Sequence, residues 1–193
     1  VVLEDWLEAV RLSYEALRRD GSPVAMIGFC LGGTLTLATA PELNPRALIA
    51  LSAPTRPFPE DLFAQDKKTG HLNTARFLAA CVSEKARSWR AAGAHPVVTE
   101  SFLHRFEEAK SVARSSLPGV RCPALLVQAG SDSLLSLDHA ASLAAQFPAA
   151  TDCSVYLSQS SDYPIPIDNG RLKVFERVVE FLRSVAKLEE QRF

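Results

Sequence analysis

The segment Gly28-Phe29-Cys30-Leu31-Gly32 has the residue types and spacing of a catalytic turn. It fits the pattern glycine, any residue, nucleophile, any residue, glycine, which places a nucleophile on a tight turn between a strand and a helix. Such a turn leaves little room beside its flanks, which explains glycine at positions 28 and 32. Cys30 then holds the nucleophile position, where a thiolate can attack a carbonyl carbon.

The chemistry at Cys30 has two interpretations. A thiol at a helix N-terminus lies near partial positive charge, which favours the thiolate. The backbone amide of Leu31 would then point at a developing oxyanion. In the second interpretation Cys30 is a small residue that fills a tight turn, because free cysteine is often simply buried.

The elements around this turn alternate between helices and strands. Apolar residues recur at helical spacing from Leu3 to Leu17, and Asp20-Gly21 ends that helix. Further helices are predicted at 34–40, at 138–147 and from about 170 onward. Apolar runs predict buried parallel strands at 23–27, 47–51, 123–128 and 153–157. The alternation predicts an α/β fold with a parallel sheet covered by helices on both faces.

Residues 55–119 do not follow the alternation. They are charged and helical in pattern, with Pro57, Pro59 and Pro96 as interruptions. We expect them to form a helical cap inserted into a single domain, whose core consists of residues 1–54 and 120–193.

The composition excludes several classes of protein. The 193 residues have an apolar fraction of 47%, a charged fraction of 22% and a net charge of −1. These values give no sign of a nucleic-acid or membrane surface. No apolar run approaches the ~20 residues of a membrane span, and we find no secretion leader. The cysteines form no CxxC pair, so we expect free thiols, a cytoplasmic location and neither metal nor cofactor. They are Cys30, Cys81, Cys122 and Cys153.

The chain resembles the bacterial carboxylesterase and monoacylglycerol-lipase-like branch of the α/β-hydrolases, which includes serine-aminopeptidase-like members. The resemblance covers nearly the whole chain: residues 6–40, Ser52-Ala53-Pro54, the cap, and residue 125 to the last helix. That branch usually has serine in its nucleophile elbow. Cysteine followed by Gly-Gly is similar to dienelactone hydrolases instead, but those lack a long insertion between elbow and acid. The cap therefore favours the esterase branch.

The resemblance implies a triad acid in the loop after the next-to-last strand. Asp132, in Gly130-Ser131-Asp132, occupies that place. The alternative is a turn aspartate, which such a loop tolerates equally well. The strand before this loop and the helix after it favour the triad position.

The resemblance also implies a histidine after the last strand, where this chain has Asp162 and Tyr163. Neither replaces imidazole as a base, because carboxyl groups titrate far below neutrality and tyrosine near pH ~10. Asp162 would also lie near the like charge of Asp132. We expect the histidines of the chain to lie at the surface. The alternative, a cap histidine that reaches over Cys30, has no support from the spacing. They are His71, His95, His104 and His139.

A second part of the family's site is expected to be absent. The other oxyanion amide comes from a loop after an early strand, but only one helix and one strand precede Cys30 here. The chain begins at Val1, so the N-terminal strands are interpreted as missing. The strand at 23–27 would then be an exposed sheet edge that forms a homodimer or is covered by a partner.

The expected activity is hydrolysis of small carboxylic esters without a cofactor, and it should be weak. Removing the histidine of a serine triad costs on the order of 10⁶ in turnover, although cysteine is more forgiving. Two alternatives stay open. One is a non-catalytic pseudo-hydrolase or truncated fragment, and the other is a dienelactone-hydrolase-like cysteine enzyme.

Overall fold

A sheet of four parallel strands organises the chain. The computed structural model describes residues 2–58, 100–132 and 134–190. The strands lie in the sheet in chain order, and each neighbouring pair is parallel. They are β1 (Ala25–Phe29), β2 (Ala47–Leu51), β3 (Ala124–Ser131) and β4 (Cys153–Asp162). The predicted α/β class is confirmed.

Helices connect and cover the strands. They are α1 (Leu3–Arg18), α2 (Leu31–Leu43), α3 (Glu100–Ser116), α4 (His139–Ala144) and α5 (Arg171–Glu190). Two short 3₁₀ helices lie at Leu117–Gly119 and Ile165–Ile167. Among the helices in the described ranges, none combines the length and apolar composition of a transmembrane segment.

The two faces of the sheet form separate apolar cores. Along β2, Leu48 belongs to the core under α2 and α3, whereas Ile49 belongs to the core under α5. Successive side chains of a strand point to opposite faces, so an uninterrupted apolar run is buried on both sides. This explains why every residue of β2 is buried.

The predicted cap is described only at its two ends. Residues 59–99 lie outside the described residues, so the cap stays a prediction. Its C-terminal part is helix α3, which packs on α2. Ala113 and Leu117 at the end of this segment are buried in the core of the sheet.

Strands β3 and β4 run further than the sequence predicts, to Ser131 and Asp162. Their pairing is irregular between Ala129 and Ser131. A Cβ at Gly130 would lie 3.0 Å from Gln159 Cα, so glycine permits this close approach of the two strands. The extension carries both strands to the edge of the sheet where the site lies.

The first strand is an edge of the described sheet. Within the described residues β1 pairs with β2 and has no strand on its other side. An apolar groove of about 710 Å³ lies along this edge between α1 and β1, with Trp6, Leu17, Met26 and Ile27 among its walls.

Candidate functional site

The turn between β1 and α2 holds Cys30 in an unusual backbone conformation. Cys30 has φ 51° and ψ −121°, outside the regions that side chains ordinarily allow. Its N–H donates to Leu51 O at 3.0 Å, and its carbonyl accepts the N–H of Thr34 at 3.0 Å. These bonds to β2 and α2 hold the strained residue in place at the carboxyl end of the sheet.

The glycines of this turn differ in why they are needed. A Cβ at Gly28 would lie 2.4 Å from Gly32 O, so Gly28 is required by the backbone. A Cβ at Gly32 would meet nothing within 4 Å, so the crowding predicted at Gly32 is wrong. The crowded position is Gly33, where a Cβ would lie 2.7 Å from Ala53 Cβ. The sequence motif could not identify this contact because Ala53 follows a different strand.

The surroundings of the Cys30 thiol change its acidity. Burial raises the pKa of Cys30 and is the largest influence on it. The Tyr163 hydroxyl and the backbone N–H of Leu31 lie close enough to the sulfur to favour the thiolate, but they do not offset burial. The lowered pKa expected at this helix N-terminus is therefore wrong, because desolvation of the thiolate outweighs the nearby donors.

Asp132 follows β3 and is partly buried. Its Oδ1 accepts the N–H groups of Leu134 at 2.9 Å and Leu135 at 3.0 Å. Burial is the largest influence on the carboxyl group and raises the pKa of Asp132, while the Leu134 amide and Ser52 lower it. The two amides form a turn, and the second oxygen faces the interior.

A pair of buried oxygens meets at this position. Asp132 Oδ2 and Ser52 Oγ are both buried and neither has a hydrogen-bond partner among the described residues. The Ser52 hydroxyl lies close enough to favour the charged form of Asp132, although no hydrogen bond joins the two oxygens. Ser52 has φ 40° at the end of β2, a conformation rare for serine. No sequence motif indicates that Ser52 lies beside Asp132.

The structure separates the two residues that stand where a histidine is expected. Asp162 ends β4 opposite Ser131 and is exposed. Tyr163 is buried, and its ring centroid lies 5.3 Å from that of Phe29. Of the two, Tyr163 lies beside Cys30 and Asp162 does not.

One of the described histidines is not at the surface. His104 is exposed on α3, as expected. His139 is buried, and its Nε2 donates to Ala53 O at 3.1 Å, so the surface placement predicted for it is wrong. Burial is the largest influence on His139 and lowers its pKa, which favours the neutral imidazole. His71 and His95 lie outside the described residues.

Lys110 on α3 was not identified from the sequence. Its side chain is fully buried, with Nζ 3.6 Å from the centroid of the Phe58 ring. Phe58 and Tyr163 belong to the apolar cluster that also contacts Cys30. A charged helix gave no signal that one of its lysines turns inward. Among the described residues, no group of three or more His, Cys, Asp or Glu side chains could hold a metal ion.

Comparison with known proteins identifies the fold. No protein-family model and no curated protein sequence matches the chain. A metagenome-derived lipolytic enzyme has a TM-score of 0.73 at 18% identity, over 95% of this chain and 74% of that one. Monoacylglycerol lipase from Paleococcus ferrophilus has a TM-score of 0.63 at 14% identity, over 96% and 76%.

A third solved structure agrees with these two. A lipase-esterase related protein from Clostridium acetobutylicum has a TM-score of 0.68 at 14% identity, over 93% of this chain and 75% of that one. At such identities the likeness is one of fold, and it covers 93% or more of this chain in each case. The chain therefore has the α/β-hydrolase fold.

Proposed function

We propose that the chain hydrolyses small carboxylic esters with Cys30 as the nucleophile and Asp132 as the acid of the site, and that its turnover is slow. The observation that carries this proposal is the strained Cys30 turn, with φ 51° between a parallel strand and a buried helix. Strain of this kind at the carboxyl end of a strand is typical of catalytic sites. The lipases and esterases of the same fold support the class of substrate.

The reaction would proceed in two steps. The Cys30 thiolate attacks the ester carbonyl carbon, the bond to the alcohol oxygen breaks, and the departing alkoxide takes a proton from solvent. The Leu31 amide stabilises the negative oxygen of the intermediate. Water then attacks the thioester, which releases the carboxylic acid and restores the thiol.

The second step should limit the rate. Among the described residues beside Cys30, Tyr163 occupies the place of the expected base, and its phenol does not accept a proton near neutral pH. General-base assistance to water contributes about 10²- to 10⁴-fold in such reactions. The acylated enzyme should therefore accumulate.

A p-nitrophenyl acetate assay tests the proposal. We expect a burst that releases about one molecule of p-nitrophenol per enzyme molecule, followed by slow turnover. Cys30→Ala should abolish the burst, whereas Cys153→Ala, which removes another partly buried thiol, should leave it unchanged. A burst that survives in Cys30→Ala would show that the nucleophile is another residue.

A non-catalytic relative of these hydrolases is the second candidate. The observation that favours it is the raised pKa of Cys30, which leaves less thiolate at neutral pH than an exposed cysteine would have. In this case the site binds an ester-like ligand without cleaving it. The same assay then gives no burst in the wild type at any pH up to 9.

A further inference from the structure

Lys110 is placed where a lysine is rarely found. Its side chain is 0% exposed, and lysine is almost never fully buried without a specific partner. The ammonium lies over two aromatic rings, 3.6 Å from the centroid of Phe58 and 5.6 Å from that of Phe106. Its anionic partner is Glu107 on the same helix.

The ion pair alone does not explain this burial. The Glu107 side chain is 45% exposed, so a lysine on this helix could pair with it while remaining in solvent. Lys110 instead extends into an apolar cluster, where desolvation lowers its pKa and is the largest influence on it. Because the ion pair with Glu107 does not require Lys110 to be buried, the burial indicates that the ammonium acts on another group of the cluster.

The cluster connects Lys110 to the nucleophile. Phe58 and Phe106, whose rings receive the ammonium, pack with Tyr163 in the cluster that Cys30 contacts. The interaction acts on both groups: the Lys110 charge favours the Cys30 thiolate, less than Tyr163 and the Leu31 amide do, and the thiolate favours charged Lys110, less than Glu107 does. Charges in an apolar, water-poor region interact more strongly than they do at a surface.

We propose that the Lys110 ammonium stabilises the Cys30 thiolate, the task that an imidazolium performs in cysteine hydrolases with a histidine. The ammonium acts through space across the aromatic cluster and takes no proton in the reaction. Lys110 is thus a residue that tunes the acidity of the nucleophile. The inference rests on the proposed function only in taking Cys30 as the nucleophile.

Other charged groups face the two partners. Around Cys30, Tyr163 and the Leu31 amide favour the thiolate, and the charge of Asp132 opposes it. Around Lys110, Glu107 favours the ammonium and Arg114 opposes it. Removing Lys110 therefore takes away a cation that opposes the influence of Asp132 on the thiol.

The test is the pH dependence of iodoacetamide labelling at Cys30, followed by mass spectrometry of the folded full chain. In Lys110→Met the midpoint should rise by about half a unit to one unit, which slows labelling at pH 8 about 3- to 10-fold. Lys110→Gln is a second neutral variant with the same expected shift, and Lys110→Arg should restore the wild-type midpoint. Lys173→Met, which removes an exposed cation from α5 on the other face of the sheet, should change nothing.

Each result of this experiment either supports or overturns the proposal. An unchanged midpoint in either folded neutral variant, or an equal rise in Lys173→Met, overturns the proposal. The wild type offers a second comparison within one chain, because burial is the largest influence on the Cys122 thiol and raises its pKa to about 11. A wild-type Cys30 midpoint as high as that overturns it too. A shifted midpoint without any ester cleavage would refute the proposed function and leave this inference standing.

Discussion

At the scale of single residues, the buried Oδ2 of Asp132 leads to a specific prediction. Asp132 Oδ2 accepts no hydrogen bond from the described residues, although Oδ1 accepts two. Leaving a buried acceptor unpaired costs about 1–3 kcal/mol. A donor placed between this oxygen and the Cys30 sulfur would remove that cost. An imidazole has one nitrogen for each of these two atoms.

Tyr163→His should therefore increase ester turnover. The side chain at position 163 is buried beside Cys30, so a histidine there can accept the thiol proton and donate to Asp132. We expect turnover of p-nitrophenyl acetate to rise about 10- to 100-fold, because a general base then activates the deacylating water. Steady-state rates of wild type and variant measure this.

Asp162→His is the matched control. Residue 162 is exposed, so a histidine there should leave turnover within about twofold of wild type. Equal gains from both variants would mean that position 163 has no special access to the nucleophile. No gain from a folded Tyr163→His would remove Asp132 from the proposed site.

At the scale of elements, the β1–α2 unit depends on close contacts between its backbone segments. Gly28 lies against the first turn of α2, and Gly33 lies against Ala53 after β2. The strand, the helix and the next strand are thus packed together at two glycines. The position of Cys30 follows from these contacts.

Gly28→Ala and Gly32→Ala should have opposite effects on stability. The new Cβ at position 28 would meet the carbonyl of Gly32 at 2.4 Å, and backbone cannot move aside cheaply. We expect a loss of about 2–4 kcal/mol in the free energy of unfolding. At position 32 the Cβ enters open space within a helix, so a gain of up to about 1 kcal/mol is expected.

Urea unfolding followed by circular dichroism distinguishes the two variants. The pair is matched, since both changes add one methyl group to a glycine of the same turn. Similar losses in both would mean that the turn tolerates no side chain at either flank, as the motif alone had indicated.

At the scale of the whole molecule, the β1 edge is the surface that most needs a partner. Ile27 is 52% exposed there, beside the apolar groove between α1 and β1. The strand has no charge and no proline, which are the usual protections of an edge. In the described sheet the N–H and C=O groups on this side of β1 are left for pairing with another strand.

We expect the chain to form a homodimer through this edge. Two copies related by a twofold axis would pair their β1 strands antiparallel, which joins the sheets and covers both grooves. Ile27→Lys should shift the protein toward monomer, because a lysine on an edge strand opposes pairing. Sedimentation velocity at micromolar concentrations measures the change.

Val155→Lys is the control for the opposite edge. Val155 lies on β4 at the other side of the described sheet and is 42% exposed. This variant should dimerise as the wild type does. A wild type that sediments as a monomer, with slow amide exchange across β1, would contradict the expected interface.

Local patterns in the sequence were enough to predict the strands and the Cys30 turn. Apolar runs such as Ala47–Leu51 predict a strand buried on both faces. Successive side chains of a strand point to opposite faces, and here all of them are apolar. The glycine spacing around Cys30 predicts the turn, although of its two flanking glycines only Gly28 is required by the backbone. The ends of β3 and β4 were less predictable, since they depend on how the two strands meet at Gly130.

The chemistry of the site was decided by contacts between residues far apart in the chain. Burial set the direction of the pKa shift at Cys30, and the side chains packed around it come from α3 and from the segments that follow β2, β3 and β4. At the end of β4 the side chain of Tyr163 is buried and that of Asp162 is exposed, and the sequence alone could not distinguish the two. Lys110 is buried because α3 packs on α2 and directs this side chain onto Phe58, a member of the cluster that Cys30 contacts. The sequence determines which groups are present, and tertiary packing determines which of them lose water and act on one another.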